Sequence, residues 1–544
     1  MTNCKETNRK GLTNMQHTDM ETPFVWENAN VYFLLTDRFN NGNTENDEQY
    51  NRGHDAAILR GFEGGDIIGI TQKIKEGYFN KLGINAIWFT PVVEQIHGNV
   101  DEGTGLSYGY HGYWAKDWTA LDKNFGTKED LRELVETAHA HGIRIVLDGV
   151  INHRGPVTEK DPVWPSDWVR VGPHCEYTDY DSTVSCTLVA NLPDILTESE
   201  EDVNLPPQLI TKWKNEGRYE EEIASLDAFF ERTGYPRAPK YYIIKWLTDY
   251  ITEFGVDGYR ADTVKHTEDD VWKTFKRECD YAFEQFKKKN PDKVLDDNDF
   301  YLVGEVYNYG ISGGKYFDYG DRKVNYFDDM FTSQINFEFK WDAQGSYEEI
   351  FSKYSRILNN ELKDFSVLNY VTSHDDGAPY DVKREKPFNA ATKLLLSPGA
   401  AQIYYGDESA RPLIVEGANG DANLRSFMNW DAIENNPKTQ ELLGHWQKLG
   451  KFRQRHVSIG AGVHKMLNEE PYVFQRTYDK GDYKDEVIIG LDMPEGTKNI
   501  DVSSIFKAGD VLNEAYTNTE FVVNENGWAN FDTANTVVLL EKKK

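Results

Sequence analysis

Gly255-Val256-Asp257-Gly258-Tyr259-Arg260-Ala261-Asp262-Thr263-Val264-Lys265-His266 decides how this chain is read. Its first half alternates like a short buried strand. Its second half gathers an arginine, a carboxylate, a lysine and a histidine just past the strand's end. Ahead of it, Ile243, Trp246, Leu247, Tyr250, Ile251 and Phe254 fall at helical spacing, and Gly255 stands where a helix stops. The local unit is helix, tight turn, strand, polar cluster. In a parallel barrel, side chains past the carboxyl end of a strand face the active site. An exposed loop of mixed charge is the plainer alternative, but it leaves the abrupt step from apolar strand to charge unexplained.

The same rhythm runs through the flanking sequence. Val31–Thr36 and Ile84–Thr90 read as buried strands, with helical spacing over Ile67–Leu82 between them. Thr127 with Asp130 three residues on marks a helix start. Leu131, Leu134, Val135 and Ala138 form its apolar face, Gly142 ends it, and Ile143–Leu147 is a strand closing on Asp148. Strands alternating with helices predict a parallel sheet covered by helices. From about Arg154 to Pro239 the sequence turns irregular, and so long a loop inside a compact unit predicts an inserted domain over 154–239. Phe300–Val306, Phe365–Val371 and Ala401–Tyr405, with a weaker strand near Val324–Phe331, bring the strands to eight. The prediction is an α/β fold, a closed (β/α)8 TIM barrel over 25–153 and 240–452, with the insertion after strand three. Beyond it, short alternating runs at Tyr472–Tyr478, Glu486–Leu491 and Thr536–Leu540 predict a C-terminal all-β domain, a β-sandwich over 453–544. Residues 1–24 are polar and aperiodic and predict a flexible leader.

Bulk properties narrow the partners. A chain of 544 residues is too long for one ordinary core. A net charge of −30 repels phosphate backbones and argues against nucleic acid. Aromatic residues at 13% supply flat rings for stacking on an uncharged ligand. No run of apolar residues is long enough to span a membrane. The N-terminus lacks the apolar core of a signal peptide, so the chain is either cytosolic or an export signal has been removed. Four cysteines are too few for a disulfide scaffold. Cys175 and Cys186 either pair in an oxidising compartment or stay free thiols, and Cys4 is a candidate former lipid-attachment residue.

Four strand ends carry polar clusters: Asp148-Gly149-Val150-Ile151-Asn152-His153, Arg260 with Asp262, Gly304-Glu305, and His374-Asp375-Asp376. The motifs DGVINH, GYRADTVKH, GEV and SHD, in this order at barrel intervals, resemble those of the α-amylase family, glycoside hydrolase family thirteen. The resemblance runs from Val31 to the end. It is nearest to secreted and periplasmic bacterial α-amylases and, through the N-terminal half, to cyclodextrin glucanotransferases.

The residues bear chemistry of their own. Cleavage of a glycosidic bond with retention needs two carboxyl groups roughly 5–5.5 Å apart, one ionised and one protonated. Adjacent barrel strands, about 4.8 Å apart, supply that gap. Asp262 and Glu305 fit. Arg260, two residues before Asp262, points to the same side and keeps it ionised. Glu305 has no cation in its own segment and is expected to hold its proton longer.

The resemblance implies the same roles, with Asp262 as nucleophile, Glu305 as acid/base and Asp375 as the third carboxylate. It implies that His153 and His374 hydrogen-bond the sugar at the cleavage point. Within Tyr108–Trp118, Tyr113 would lie under the ring and His111 would frame it. Lys265 and His266 would hold the leaving-group side. The resemblance also implies one calcium ion between barrel and insertion, on Asn152, Asp194 and the backbone carbonyl of His266. A second calcium site is read at Asn41, Asn43, Asn46 and Asp47, which the resemblance to cyclodextrin glucanotransferases implies is completed by the Gly64 carbonyl and Asp66, with a solvated turn as the alternative. Two positions depart from the family pattern: Ala261 stands where larger aliphatic residues are usual, and Thr372-Ser373 where many members carry Asp-Asn.

The expected activity is retaining, endo-acting hydrolysis of α-1,4-glucosidic bonds in starch, glycogen or maltodextrins. A transglycosylase or cyclodextrin-cleaving enzyme of the same family is one alternative. A non-catalytic glucan-binding or transport-accessory relative is another, although such relatives lack part of the Asp262, Glu305, Asp375 set that is present here. A monomer that is secreted, periplasmic or lipid-anchored at the cell surface is expected.

Overall fold

Eight short parallel strands close on themselves in this computed structural model, which describes residues 22–101 and 103–543. Cys4 and most of the expected leader lie outside the described residues. The strands are β1 (Asn30–Leu34), β2 (Ala86–Phe89), β3 (Arg144–Gly149), β4 (Gly258–Ala261), β5 (Tyr301–Gly304), β6 (Ser333–Asn336), β7 (Ser366–Tyr370) and β8 (Ala400–Tyr404). Each pairs with its sequence neighbours, and β1 pairs with β8 to close the (β/α)8 barrel.

Local chemistry explains the covering helices. Thr127 accepts from the Asp130 N–H while Asp130 reaches back to Thr127, a full capping box for the helix Lys128–Ala140. The helix Pro239–Phe254 starts on a proline and ends at Gly255, whose φ of 72° only glycine adopts without strain. A side chain there would also strike the Phe286 ring. In β4 the alternation sends Tyr259 outward, where its hydroxyl donates 2.8 Å to the Leu247 carbonyl. Arg260 points inward and is fully buried.

Three expectations need correction. The sixth strand is Ser333–Asn336, not the stretch near Val324–Phe331, which holds one arm (Lys323–Asn325) of a hairpin with Tyr316–Asp318. The true strand was hidden because Ser333, Gln334 and Asn336 are polar yet buried. The helical stretch Ile67–Leu82 is broken at Gly77, which adopts a left-handed conformation between Ile67–Lys75 and Tyr78–Lys81. The segment read as irregular contains a one-turn helix, Asp181–Val184, and two longer ones, Pro207–Asn215 and Tyr219–Thr233.

The inserted segment docks on the barrel through aromatic and ionic contacts. Trp164, Trp168 and Trp213 meet Trp118 and Trp246, with ring centroids 5.2–6.3 Å apart along the seam. Lys212 pairs with Glu94 at 2.7 Å and with the buried Asp117 at 2.8 Å, and Arg218 reaches Asp117 at 2.6 Å. Cys175 and Cys186 are joined as a disulfide.

Beyond the helix Pro437–Arg455 the chain is mainly strand. Val463–Asn468, Tyr472–Lys480, Tyr483–Leu491, Val538–Lys542, Val511–Glu514 and Thr519–Val522 lie side by side in that order, and Gly496–Asp501 pairs with Trp528–Thr533. The two sheets share a small core that includes Ile488, Leu512, Leu540, Ile500 and Phe531. At the junction with the barrel, His456 sits between two carboxylates, Nδ1 2.7 Å from Asp485 and Nε2 2.6 Å from Glu541.

This contact gives a pH-dependent joint. The flanking carboxylates hold the buried His456 imidazole above its ordinary range, against the cost of burial. Its contribution is complete below about pH 6.5 and is lost as pH rises through the raised value. Asp485 is held low and Glu541 is lowered to about 2, so their contribution is present above about pH 4.3 and fades as acid titrates them. The variant His456→Leu, which strands two buried acids, is expected to lose about 3 kcal/mol between those limits and less at alkaline pH. Urea unfolding at several pH values measures this, and a pH-independent loss would contradict it.

Candidate active site

The register of β3, β4 and β5 builds the centre of the site. Arg260 lies beside Asp148, and Ala261 beside Gly304, so Asp262 and Glu305 follow as neighbours on adjacent strand ends. The Asp262 N–H donates to the Gly149 carbonyl at 3.0 Å and the Glu305 N–H to the Ala261 carbonyl at 2.9 Å. All of this lies at the carboxyl end of the barrel, the face on which barrel enzymes carry their chemistry.

One guanidinium joins three acids. Arg260 Nη1 lies 2.9 Å from Asp148 and 2.7 Å from Asp262, while Nη2 lies 2.8 Å from Glu305. The rigid fork of donors suits this arrangement better than an ammonium would. Glu305 has no cation in its own segment, but the neighbouring strand supplies one. Burial still pushes the Glu305 carboxyl well above its usual range, and the Asp262 and Asp375 charges add to that against the pull of Arg260. Thr263 has a left-handed φ of 49°, which aims its N–H at Glu305 Oε2, 3.0 Å away. A strained non-glycine residue beside two acids is common at functional sites.

Asp148 is part of the network, although only its place at a strand end pointed to it in the sequence. Its Oδ2 accepts from Trp88 Nε1 at 3.0 Å and from the Tyr113 hydroxyl at 2.8 Å. Burial raises its carboxyl to about 6 despite Arg260. Tyr113 lies over Arg260 at 5.5 Å and stacks on His374 with centroids 5.3 Å apart. Its N–H donates to His111 Nδ1 at 3.1 Å, and its carbonyl lies 3.2 Å from His153 Nε2. Burial depresses His111, His153 and His374, the first and last also through Arg425. Neutral imidazoles suit hydrogen bonding to uncharged hydroxyls.

Asp375 stands at the rim with a third of its side chain exposed. Its carboxyl is raised, first by its enclosure. Lys265 lies within 6 Å of the Tyr177, Tyr307 and Phe317 rings, and His266 Nδ1 donates to the Thr183 carbonyl at 3.0 Å. The carbonyl can only accept, so His266 Nδ1 carries the proton. Burial lowers His266 to about 4. Sequence reading passed over Arg425, which donates to the His374 carbonyl at 2.9 Å from a loop after β8 that carries none of the quoted motifs. It also passed over Tyr307, whose proximity to Glu305 in sequence was the available signal.

Asp194 is buried, with Oδ2 on Arg170 at 2.8 Å and Oδ1 without a hydrogen-bond partner, and burial pushes the carboxyl up to about 9. Asn152 Oδ1 receives only a long 3.4 Å contact from Thr267, while its carbonyl accepts from the Ile195 N–H at 2.8 Å. His266 lies on the adjoining short helix Val264–His266. An uncompensated carboxylate oxygen beside an amide oxygen fits a hard cation. In the Asn-rich loop, Asn41 Nδ2 contacts both Asp47 oxygens at 3.0 Å, and a Cβ on Gly64 would collide with both side chains. Asn46 Oδ1 is buried without a partner. The buried, unpartnered Asn46 oxygen and the Asp47 carboxylate are donors of the kind a hard cation takes. Asn43 Oδ1 instead accepts from the Glu45 N–H. Asp66 caps the helix Ile67–Lys75 and accepts from the Gly42, Asn43 and Gly69 N–H groups.

The fold and these facing acids define a carbohydrate-cleaving barrel, and comparison with known proteins agrees. The family description "Alpha amylase, catalytic domain" matches residues 33–442. The chain is 35% identical over 528 residues to the periplasmic alpha-amylase of Escherichia coli strain K12, covering 86% of this chain and 73% of that one. It is 26% identical over 492 residues to the cyclomaltodextrin glucanotransferase of Geobacillus stearothermophilus, covering 88% of this chain and 61% of that one. In fold it is similar to the alpha-amylase of Geobacillus thermoleovorans, with a TM-score of 0.64 at 22% identity over 96% of this chain and 100% of that one. The chain belongs to the alpha-amylase family. It is a glycoside hydrolase of that family.

Proposed function

We propose that this enzyme is a retaining, endo-acting hydrolase of α-1,4-glucosidic bonds in starch, glycogen or maltodextrins. The observation that carries the reading is the pairing of Asp262 with a Glu305 whose carboxyl burial raises well above its usual range, on adjacent strand ends and bridged by Arg260. Asp262 attacks the anomeric carbon as Glu305 gives its proton to the departing glycosidic oxygen. Water then enters, Glu305 takes one of its protons, and the Asp262 ester is released with the original anomeric configuration. Asp375, His153 and His374 hold sugar hydroxyls, with Tyr113 beneath the ring. Lys265 and His266 hold the leaving side.

A second reading keeps the first step and replaces water with a sugar. Tyr177 and Tyr307, both partly exposed around Lys265, offer stacking faces to such an acceptor. A time course on maltoheptaose separates the readings. Mixed shorter products appearing early, with the α-anomer first, support endo hydrolysis with retention. Longer or cyclic products favour transfer, release of a single small sugar from one end removes endo action, and an initial β-anomer removes retention.

We also propose that calcium binds between barrel and insertion on Asn152, Asp194 and the His266 carbonyl. A second ion is proposed in the Asn-rich loop, with Asn41, Asn46, Asp47 and Gly64 as its best-supported ligands. Bound calcium would be structural, clamping the insertion that walls the cleft. Chelation is expected to lower the melting temperature by roughly 3–8 °C, reversibly on adding calcium. An unchanged melting curve would count against both sites, and Asp194→Asn should blunt the response. No helix among the described residues is long and apolar enough to cross a membrane. The Cys175–Cys186 disulfide favours export to an oxidising compartment.

A further inference from the structure

Next to Asp375 in sequence is a second acid that the proposed mechanism does not use. Asp376 is buried. Its Oδ2 accepts from the Tyr370 hydroxyl at 2.6 Å and is paired with Lys340 Nζ, and its Oδ1 accepts from the Ala378 N–H at 3.1 Å. Three donors therefore occupy Asp376. Lys340 is itself buried, on the short helix Phe339–Asp342 that follows β6, and Tyr370 is the last residue of β7. The contact ties the end of one barrel strand to the loop of the next.

Asp375 has no comparable hold of its own. Its carboxylate has a 3.4 Å contact from the Ser373 hydroxyl and lies 3.8 Å from His374. Its backbone, however, is pinned on both sides. Arg425 binds the His374 carbonyl before it, and Lys340 with Tyr370 binds Asp376 after it. A short loop fixed at both flanks sends the middle side chain one way, here toward the cleft.

We propose that Lys340, Asp376 and Tyr370 form a positioning clamp that holds Asp375 in its working orientation and balances the charge beside it. This rests on the reading of Asp375 as the third carboxylate of the hydrolytic reaction. The charged and titratable groups facing Asp375 are Arg260, Arg425, Asp376, Asp421 and Glu305, with His374, Tyr307 and Tyr370 beside them. Asp376 raises the Asp375 carboxyl, and Lys340 offsets the Asp376 charge. Loss of Lys340 thus leaves Asp375 beside an uncompensated anion. Loss of the Asp376 charge leaves it near an uncompensated cation.

The test compares Lys340→Met, Asp376→Asn, the double variant and Tyr370→Phe with the parent enzyme, using kcat and KM on maltoheptaose across pH, with melting curves on the same samples. The clamp predicts that kcat falls roughly 10–100-fold with a smaller change in KM. It also predicts that the acid limb of kcat/KM moves to higher pH in Lys340→Met and to lower pH in Asp376→Asn. The double variant should return toward the parent limb. If Lys340→Met does not fold, Asp376→Asn and Tyr370→Phe decide the matter. Activity that merely tracks the folded fraction, with limbs unmoved, would overturn the clamp. Asp375→Asn separates the two levels. If it is inactive while the clamp variants behave like the parent, only the clamp is wrong. If it is fully active, the role of Asp375 is wrong.

Discussion

Glu305→Gln is expected to slow cleavage of an unactivated maltooligosaccharide by roughly 10²–10⁴-fold, because an amide has no proton to give the departing oxygen. The same variant should lose much less on an aryl maltoside whose phenol leaves without protonation. The basic limb of the pH profile, which follows deprotonation of Glu305, should vanish. In the parent enzyme that limb should lie well above the ordinary glutamic acid range, because burial and the neighbouring charges of Asp262 and Asp375 retain the proton. Asp262→Asn provides the contrast. Without a nucleophile both substrates fail, whatever the leaving group. Measured kcat/KM for the two substrates in the two variants gives a four-way comparison. Equal losses on both substrates in Glu305→Gln, with the basic limb still present, would remove Glu305 from the acid role.

Arg260→Leu is expected to be the most damaging single change to stability in the site. It leaves Asp148, Asp262 and Glu305 buried together with no cation, a loss of about 3–5 kcal/mol by analogy with other broken buried pairs. The loss should depend on pH with a definite sign. Without Arg260, which pulls them down, the Asp148 and Glu305 carboxyls titrate still higher in the folded chain than in the unfolded chain, so the folded variant binds protons more tightly. Its deficit is then greatest above the raised values and shrinks as pH falls through them. Asp148 already titrates at about 6 with the arginine in place, so the effect should be visible above that point. Urea denaturation of parent and variant at about pH 5 and 8 measures the difference. Arg260→Lys should fall between them, since an ammonium lacks the fork that spans three acids. A deficit that stays flat with pH would mean that Arg260 acts by packing alone.

Much of this arrangement was legible in the chain, for a physical reason. Barrel strands buried on both faces are apolar runs, and the acids sit where those runs stop, as at Leu147-Asp148 and Ala261-Asp262. The sixth strand escaped because Ser333, Gln334 and Asn336 are polar yet buried inside the barrel, which breaks the apolar run that marks the other strands. There Asn336 Nδ2 donates to Asn369 at 2.8 Å. The helices of the insertion were readable from Pro207 and from the spacing of Leu226, Phe229 and Phe230, but acidic residues between them masked the pattern. Lys340 and Arg425 could not be read at all. Their partners, Asp376 and the His374 carbonyl, lie 36 and 51 positions away, and only closure of the barrel brings them together. The same holds for the contact between Arg260 and Glu305, 45 positions apart, which gives Glu305 a cation from a neighbouring strand while its carboxyl stays raised as expected.

The tryptophan seam between barrel and insertion has an optical consequence. Five of the chain's 13 indoles are packed there within excitonic reach of one another, all screened from solvent. Their emission should be blue-shifted and their near-ultraviolet dichroism strong while the insertion is seated. Lifting it would wet the rings and uncouple them before the barrel itself melts. The enzyme thus carries its own label-free spectroscopic gauge of cleft-wall attachment.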